Sequence, residues 1–239
     1  MKNFELKKFS NDLELATAAA SEWLDLLSRE KSDAPHLVAF SVGRIAKTLC
    51  AQITSQAKAQ NISLARVHFF WVDERCVPPT SPDSNFLLAN EGLFQPLHVA
   101  PDKIHRLKGE LDPKAAVADA NTEIARFAPK NTAGMPVLDL VFLGLGEDGH
   151  TASLFPNATP EIINCREAYL HVNNSPKPPP QRLTLSFAAM AAAKEAWMLA
   201  SGNGKEHAFK NSLADGEQTP FGRVLSIRQT TKIYSALKF

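Results

Sequence analysis

The chain has 239 residues, of which 44% are hydrophobic and 21% charged, with a formal net charge of +1. That length and apolar content suit one α/β domain spanning residues 1–239 and exclude neither a normal core nor ordinary enzyme chemistry. The near-neutral balance provides no global field for nucleic acid or a membrane surface, so an anionic ligand would have to be held by locally placed cations.

In chain order, Met1 to Leu15 mixes charges with single apolar residues and contains no signal-peptide core. Leu13, Ala16, Ala20, Trp23, Leu24 and Leu27 recur at helical spacing and predict an amphipathic helix. Leu37–Phe40 reads as a buried strand, residues 44–59 as a helix, and Val67–Val72 as a β-branched and aromatic strand. Prolines at 78, 79 and 82 forbid regular structure just after it. A short helix over Asn85–Leu93 and a longer one over Pro113–Phe127 follow, the latter with Pro in its first turn. Leu138–Leu143 is the most apolar strand, and Tyr169–Val172 is another. Ser175–Pro180 carries four prolines and must be an extended loop. Ser186–Ala193 reads as a helix, Ala196–Ala200 as a strand, Gly204–Leu213 as a helix and Lys232–Leu237 as a final strand. Alternation of this kind predicts a largely parallel sheet covered on both faces, with its ligand site at the carboxyl ends of the strands. No run approaches the ~18 apolar residues of a membrane helix. Cys50, Cys76 and Cys165 form no CxxC pair, which points to a reducing compartment; the expected location is cytoplasmic.

Two segments concentrate chemistry. In the first, the strand ending at Leu143 empties into Gly144, Gly146 and Gly149, and His150 sits in the turn, flanked by Glu147 and Asp148. Glycine permits close backbone approach to a ligand, and either carboxylate can orient the imidazole or raise its basicity. Thr151 and Ser153 are placed to cap a following helix whose N–H groups would favour an anion. In the second, Asp73, Glu74 and Arg75 arrive abruptly at the end of an apolar strand, with Asp83, Ser84 and Asn85 close behind. Arg75 can clamp a phosphate or carboxylate through two donors, and Asp73 can accept from sugar hydroxyls. Arg182 follows the proline-rich loop, and Lys205 closes a Gly-Asn-Gly-Lys turn that lacks Walker spacing. His36, His68, His98, His105, His171 and His207 show no paired metal spacing and read as structural or surface residues. A G-x-S-x-G nucleophile elbow is missing.

Together these segments resemble the 6-phosphogluconolactonase family. WVDERCVPP at 71–79 with DSNF at 83–86, and LVFLGLGEDGHTASLFP at 140–156, are similar to its two most specific motifs; PPPQRLTLS and GNGK are similar to weaker ones. The likeness spans about residues 37–235. It implies a Rossmann-like three-layer α/β/α sandwich like those of glucosamine-6-phosphate deaminase and ribose-5-phosphate isomerase. It also implies hydrolysis of a phosphorylated sugar lactone without metal or organic cofactor. A monomer is expected, and the charge and hydropathy predict no nucleic-acid or membrane partner. By the same matching His150 is the base that activates water, with Asp148 and Glu147 beside it. Gly43, Arg44, Asp73, Arg75, Asn85, Gly146, Gly149, Arg182 and Lys205 form the substrate site. Which cation takes phosphate and which the lactone carbonyl stays open.

One stretch departs from the family, whose first strand usually runs into a Ser-Gly-Gly-Ser/Arg-Thr-Pro loop. Ser41-Val-Gly-Arg-Ile-Ala46 stands there, and its branched residues are expected to narrow the backbone cradle. The competing readings are a glucosamine-6-phosphate deaminase or isomerase, and a sugar-phosphate-binding homologue weakened in turnover. Against the deaminase, Ser153-Leu-Phe-Pro156 stands where those enzymes carry an acidic residue.

Overall fold

The computed structural model describes all residues except Met1, Lys31, Ser41, Val42, Arg44, Glu217, Gln218 and Phe239. Six strands form one parallel sheet: β1 (Phe4–Lys8), β2 (His36–Phe40), β3 (Val67–Trp71), β5 (Leu140–Gly144), β8 (Glu195–Ala200) and β9 (Thr231–Ser235). Their order is β1-β9-β8-β5-β2-β3. Every residue of β2 and β3 is buried, as expected for strands covered on both faces.

Helix α1 (Asp12–Arg29) starts at Asn11, whose side chain accepts from the Glu14 N–H, while Glu14 reaches back to the Ser10 N–H. Its buried stripe begins at Leu15; Leu13, expected to face inward, is 56% exposed. Trp23 on this stripe packs edge-on against Phe40, Phe69 and Phe142 from three neighbouring strands. Removing such an indole costs about 3–5 kcal/mol. Helices α2 (Ala46–Gln60), α4 (Pro113–Phe127), α6 (Phe187–Ala192) and α7 (Glu206–Leu213) lie where their periodicity places them. The predicted helix over 85–93 is instead a five-residue α3 (Asn85–Ala89) that widens into a π turn over Asn90–Phe94. Two further short helices are α5 (Pro160–Ile163) and α8 (Pro220–Ile227).

A second, antiparallel sheet of β4 (Asp73–Arg75), β7 (Arg182–Leu185) and β6 (Tyr169–Val172) stands apart from the first, in the order β4-β7-β6. It is a tier that alternation alone does not predict. In the main sheet β2 pairs with β3 on one side and with β5 on the other, through Val38↔Leu140 and Ala39↔Val141. The chain order reverses at this point, so the connections leaving β2 and β5 diverge and open a crevice at their carboxyl ends. Among the described residues no helix is long and apolar enough to cross a membrane.

Candidate active site

The turn after β5 is closed by its own backbone. Gly146 N–H donates to the His150 carbonyl at 2.9 Å, and Gly149 N–H to the Gly146 carbonyl at 3.0 Å. A Cβ on Gly146 would stand 1.9 Å from His150 Nδ1, so only glycine leaves the ring its place. Gly149 has φ +82°, and a Cβ there would meet Thr219 at 2.6 Å. His150 Nδ1 lies 2.5 Å from Asp148 Oδ1, and the His150 ring rests against Phe155 with centroids 4.9 Å apart.

Burial is the main influence on His150 and holds its pKa below the usual histidine value, against the opposing pull of Asp148. Asp148 is shifted down as well: burial would raise it, but the hydrogen bond and charge of His150 outweigh that. The ring is therefore neutral near pH 7. With an ionised Asp148 beside it, Nδ1 carries the shared proton and Nε2 keeps a free lone pair, the arrangement of a general base.

The other wall is cationic. Pairing of β4 with β7 sets Arg75 directly opposite Arg182. Arg75 Nη1 donates to the Asp83 carbonyl at 2.7 Å, while its Nε is buried without a hydrogen-bond partner. Arg75 borders the cavity, where a guanidinium suits an anion. Arg182, 4% exposed, spends Nε on the Pro179 carbonyl and Nη2 on the carbonyls of Lys177 and Pro178. It thereby shapes the loop that brings Lys177 to the cavity. Burial, then the charge of Arg75, lowers the Arg182 pKa. Asp73 stands between the two walls. Its Oδ2 accepts from Ser153 Oγ at 2.7 Å and its carbonyl from Asn85 Nδ2 at 2.7 Å.

The cleft between the walls measures about 250 Å³, and Gly43, Asp73, Arg75, His150, Lys177 and Arg182 all border it. Five of the sequence-derived residues thus converge. Asp148 buttresses His150, and Gly146 and Gly149 shape the turn. Asn85 has a different place: it is 1% exposed and supports Asp73. Glu147 is exposed, with its side chain near Gly204 rather than against His150. Lys205 is the N-cap residue of α7 and does not border the cavity. Arg44 and Val42 lie outside the described residues. Ile45 (6% exposed) and Ala46 (1%) are buried in the protein interior instead of bordering the cavity. The helix expected after Thr151 is not there: Thr151 and Leu154 close a tight bridge, and Ala152 takes φ +53°. Ser153 serves Asp73 instead of a helix end. Lys177 and Phe155 were not anticipated. The available signal for Lys177 was a cation five residues before Arg182 in a proline-stiffened loop.

A parallel α/β sheet with a histidine–carboxylate pair and clustered cations at its carboxyl edge defines an enzyme for small anionic substrates. The chain belongs to the family described as glucosamine-6-phosphate isomerases/6-phosphogluconolactonase, which it matches over residues 10–233. It is 32% identical over 207 residues to a 6-phosphogluconolactonase of Streptomyces coelicolor, covering 84% of this chain and 79% of the relative. Matches to several other curated relatives span less than two thirds of their length. Its fold is shared with 6-phosphogluconolactonase from Trypanosoma brucei (TM-score 0.85, 23% identity, covering 98% of this chain and 97% of that one). It is also shared with a monomeric glucosamine-6-phosphate deaminase (TM-score 0.77, 18% identity, 96% and 95% covered).

Proposed function

We propose that this cavity hydrolyses 6-phospho-D-glucono-1,5-lactone to 6-phosphogluconate, a step of the oxidative pentose phosphate pathway, with His150 as general base. The observation that carries the reading is the His150 imidazole, its Nδ1 2.5 Å from Asp148 Oδ1, bordering the same cavity as Arg75, Lys177 and Arg182. Nε2 takes a proton from water as the oxygen attacks the lactone carbonyl. The resulting imidazolium is stabilised by Asp148 and returns the proton to the ring oxygen as the C–O bond breaks. The developing oxyanion is stabilised by the positive field of the cations that border the cavity. Arg75 and Lys177 are assigned to the phosphate; Arg182 holds the loop that carries Lys177. Asp73 accepts from a sugar hydroxyl.

The activity needs no metal or organic cofactor in this scheme, and residues 1–239 act as one domain, as a cytoplasmic monomer. Background-corrected hydrolysis of freshly prepared lactone tests the activity, since the lactone also opens unaided. Ammonia release from glucosamine 6-phosphate, with no gain over background on the lactone, would replace this reading with that of a deaminase.

A further inference from the structure

Glu74 lies beside the cavity without bordering it, and its carboxylate is filled entirely from within the protein. It is 2% exposed. Oε1 accepts the backbone N–H of Arg75 at 2.7 Å and of Asn85 at 2.8 Å. Oε2 accepts the Phe86 N–H at 2.9 Å and the Ser84 hydroxyl at 3.0 Å. All four partners act as donors, so the acceptor-only carboxylate fits and a protonated acid would leave its own hydrogen opposed. Burial raises the Glu74 pKa, and those four hydrogen bonds work against the rise.

A charge buried this deeply is costly unless its geometry is complete. Here the completed geometry ties β4 to the turn over residues 83–86. That turn presents the Asp83 carbonyl, which takes Arg75 Nη1 at 2.7 Å. It also presents Asn85 Nδ2, which donates to the Asp73 carbonyl at 2.7 Å. Arg75 is thus held at both ends by groups that Glu74 fixes: its own backbone N–H, and the acceptor of its guanidinium.

We infer that Glu74 is a positioning residue that sets the Arg75 guanidinium for the substrate's phosphate through the turn at 83–86. This rests on the assignment of Arg75 to the phosphate made above. Replacement by glutamine keeps the shape and removes half of the acceptor capacity. The amide NH₂ then faces the Phe86 N–H, which cannot turn away, and the Ser84 hydroxyl, which can. The turn must shift, and the Asp83 carbonyl shifts with it.

The test is a double-mutant cycle of E74Q and R75A on the full chain, with kcat and KM measured on the phosphorylated lactone and on gluconolactone. E74Q is expected to raise KM for the phosphorylated lactone about tenfold, with kcat within about twofold and gluconolactone unaffected. In the R75A background E74Q should add nothing. Multiplying losses beside a phosphate-selective R75A would overturn the role of Glu74 alone. An R75A that loses nothing selective would overturn the phosphate assignment, and the Glu74 inference with it. Should E74Q not fold, S84A removes one of the four donors and leaves the three backbone contacts. It should raise KM in the same substrate-selective way, by a smaller factor; an unchanged KM, or equal losses on both substrates, would refute the inference.

Discussion

Replacing Asp148 by Asn tests the catalytic pair most directly. The contact is 2.5 Å long, between side chains 20% and 34% exposed for His150 and Asp148. A charge-assisted hydrogen bond contributes roughly 1.5–3 kcal/mol, and this exposure to solvent reduces it to about 1–2 kcal/mol. At about 1.4 kcal/mol per decade, losing it from the imidazolium formed during reaction lowers kcat roughly fivefold to thirtyfold. The asparagine amide also donates to Nδ1, which favours the tautomer with its proton on Nε2 and removes the base. The combined loss is expected on the order of 10²-fold. The pH profile supplies a second sign. In the wild type the base is active when neutral, and burial holds its pKa below the usual histidine value. The acid limb of kcat/KM therefore lies below about pH 6.5. Asp148 pulls that pKa upward, so D148N should move the limb to still lower pH while the plateau falls. Stopped-flow or pH-stat rates, corrected for spontaneous opening, read both. A plateau unchanged within about twofold, or a limb that moves upward, would refute the assignment of base and partner.

H150Q should lower kcat by about 10²-fold or more, with its melting temperature within a few degrees of wild type and product affinity little changed; retention of half the wild-type rate would remove His150 from the mechanism. K177A, like R75A, should raise KM for the phosphorylated lactone about tenfold and spare gluconolactone, so a KM ratio between the two substrates that stays constant would place Lys177 elsewhere. G146A puts a methyl where Nδ1 now lies, so kcat should fall by more than about 10²-fold as the ring is displaced; a well-folded G146A with normal turnover would show that the ring position seen here is not the working one.

The main sheet was legible because its strands are continuous apolar runs, which only two-sided burial explains. Leu138–Leu143 and Val67–Val72 lie within one or two residues of β5 and β3. β1 was missed because Phe4–Lys8 is an edge strand that alternates charge with apolar residues and is mostly half-exposed. β4 is three residues long, too short for any period to register. Its existence depends on β7, more than a hundred residues away, and with it the whole antiparallel tier depends on long-range pairing. Within the site, His150, Arg75 and Asp73 could be read because they follow strands at the edge where ligands bind. Asn85 and Ser153 were assigned to substrate and to a helix cap because sequence does not reveal which polar groups turn inward. Both meet at Asp73. Lys177 sat in a loop whose prolines told of extension, and its approach to the cavity depends on Arg182.

Arg75 and Arg182 facing each other across β4 and β7 have a consequence beyond recognition. Two like charges at directly paired positions weaken a sheet, and this one has only three strands. Under the proposed assignment, a phosphate held by Arg75 and Lys177 would offset that repulsion, so the platform would be more stable when loaded than when empty. Occupancy then adds to folding free energy by mass action, about 2.7 kcal/mol at a hundredfold excess over Kd. The metabolite pool would act as a folding ligand, and the lifetime of the chain against unfolding and proteolysis would rise and fall with the supply of phosphorylated sugar acid.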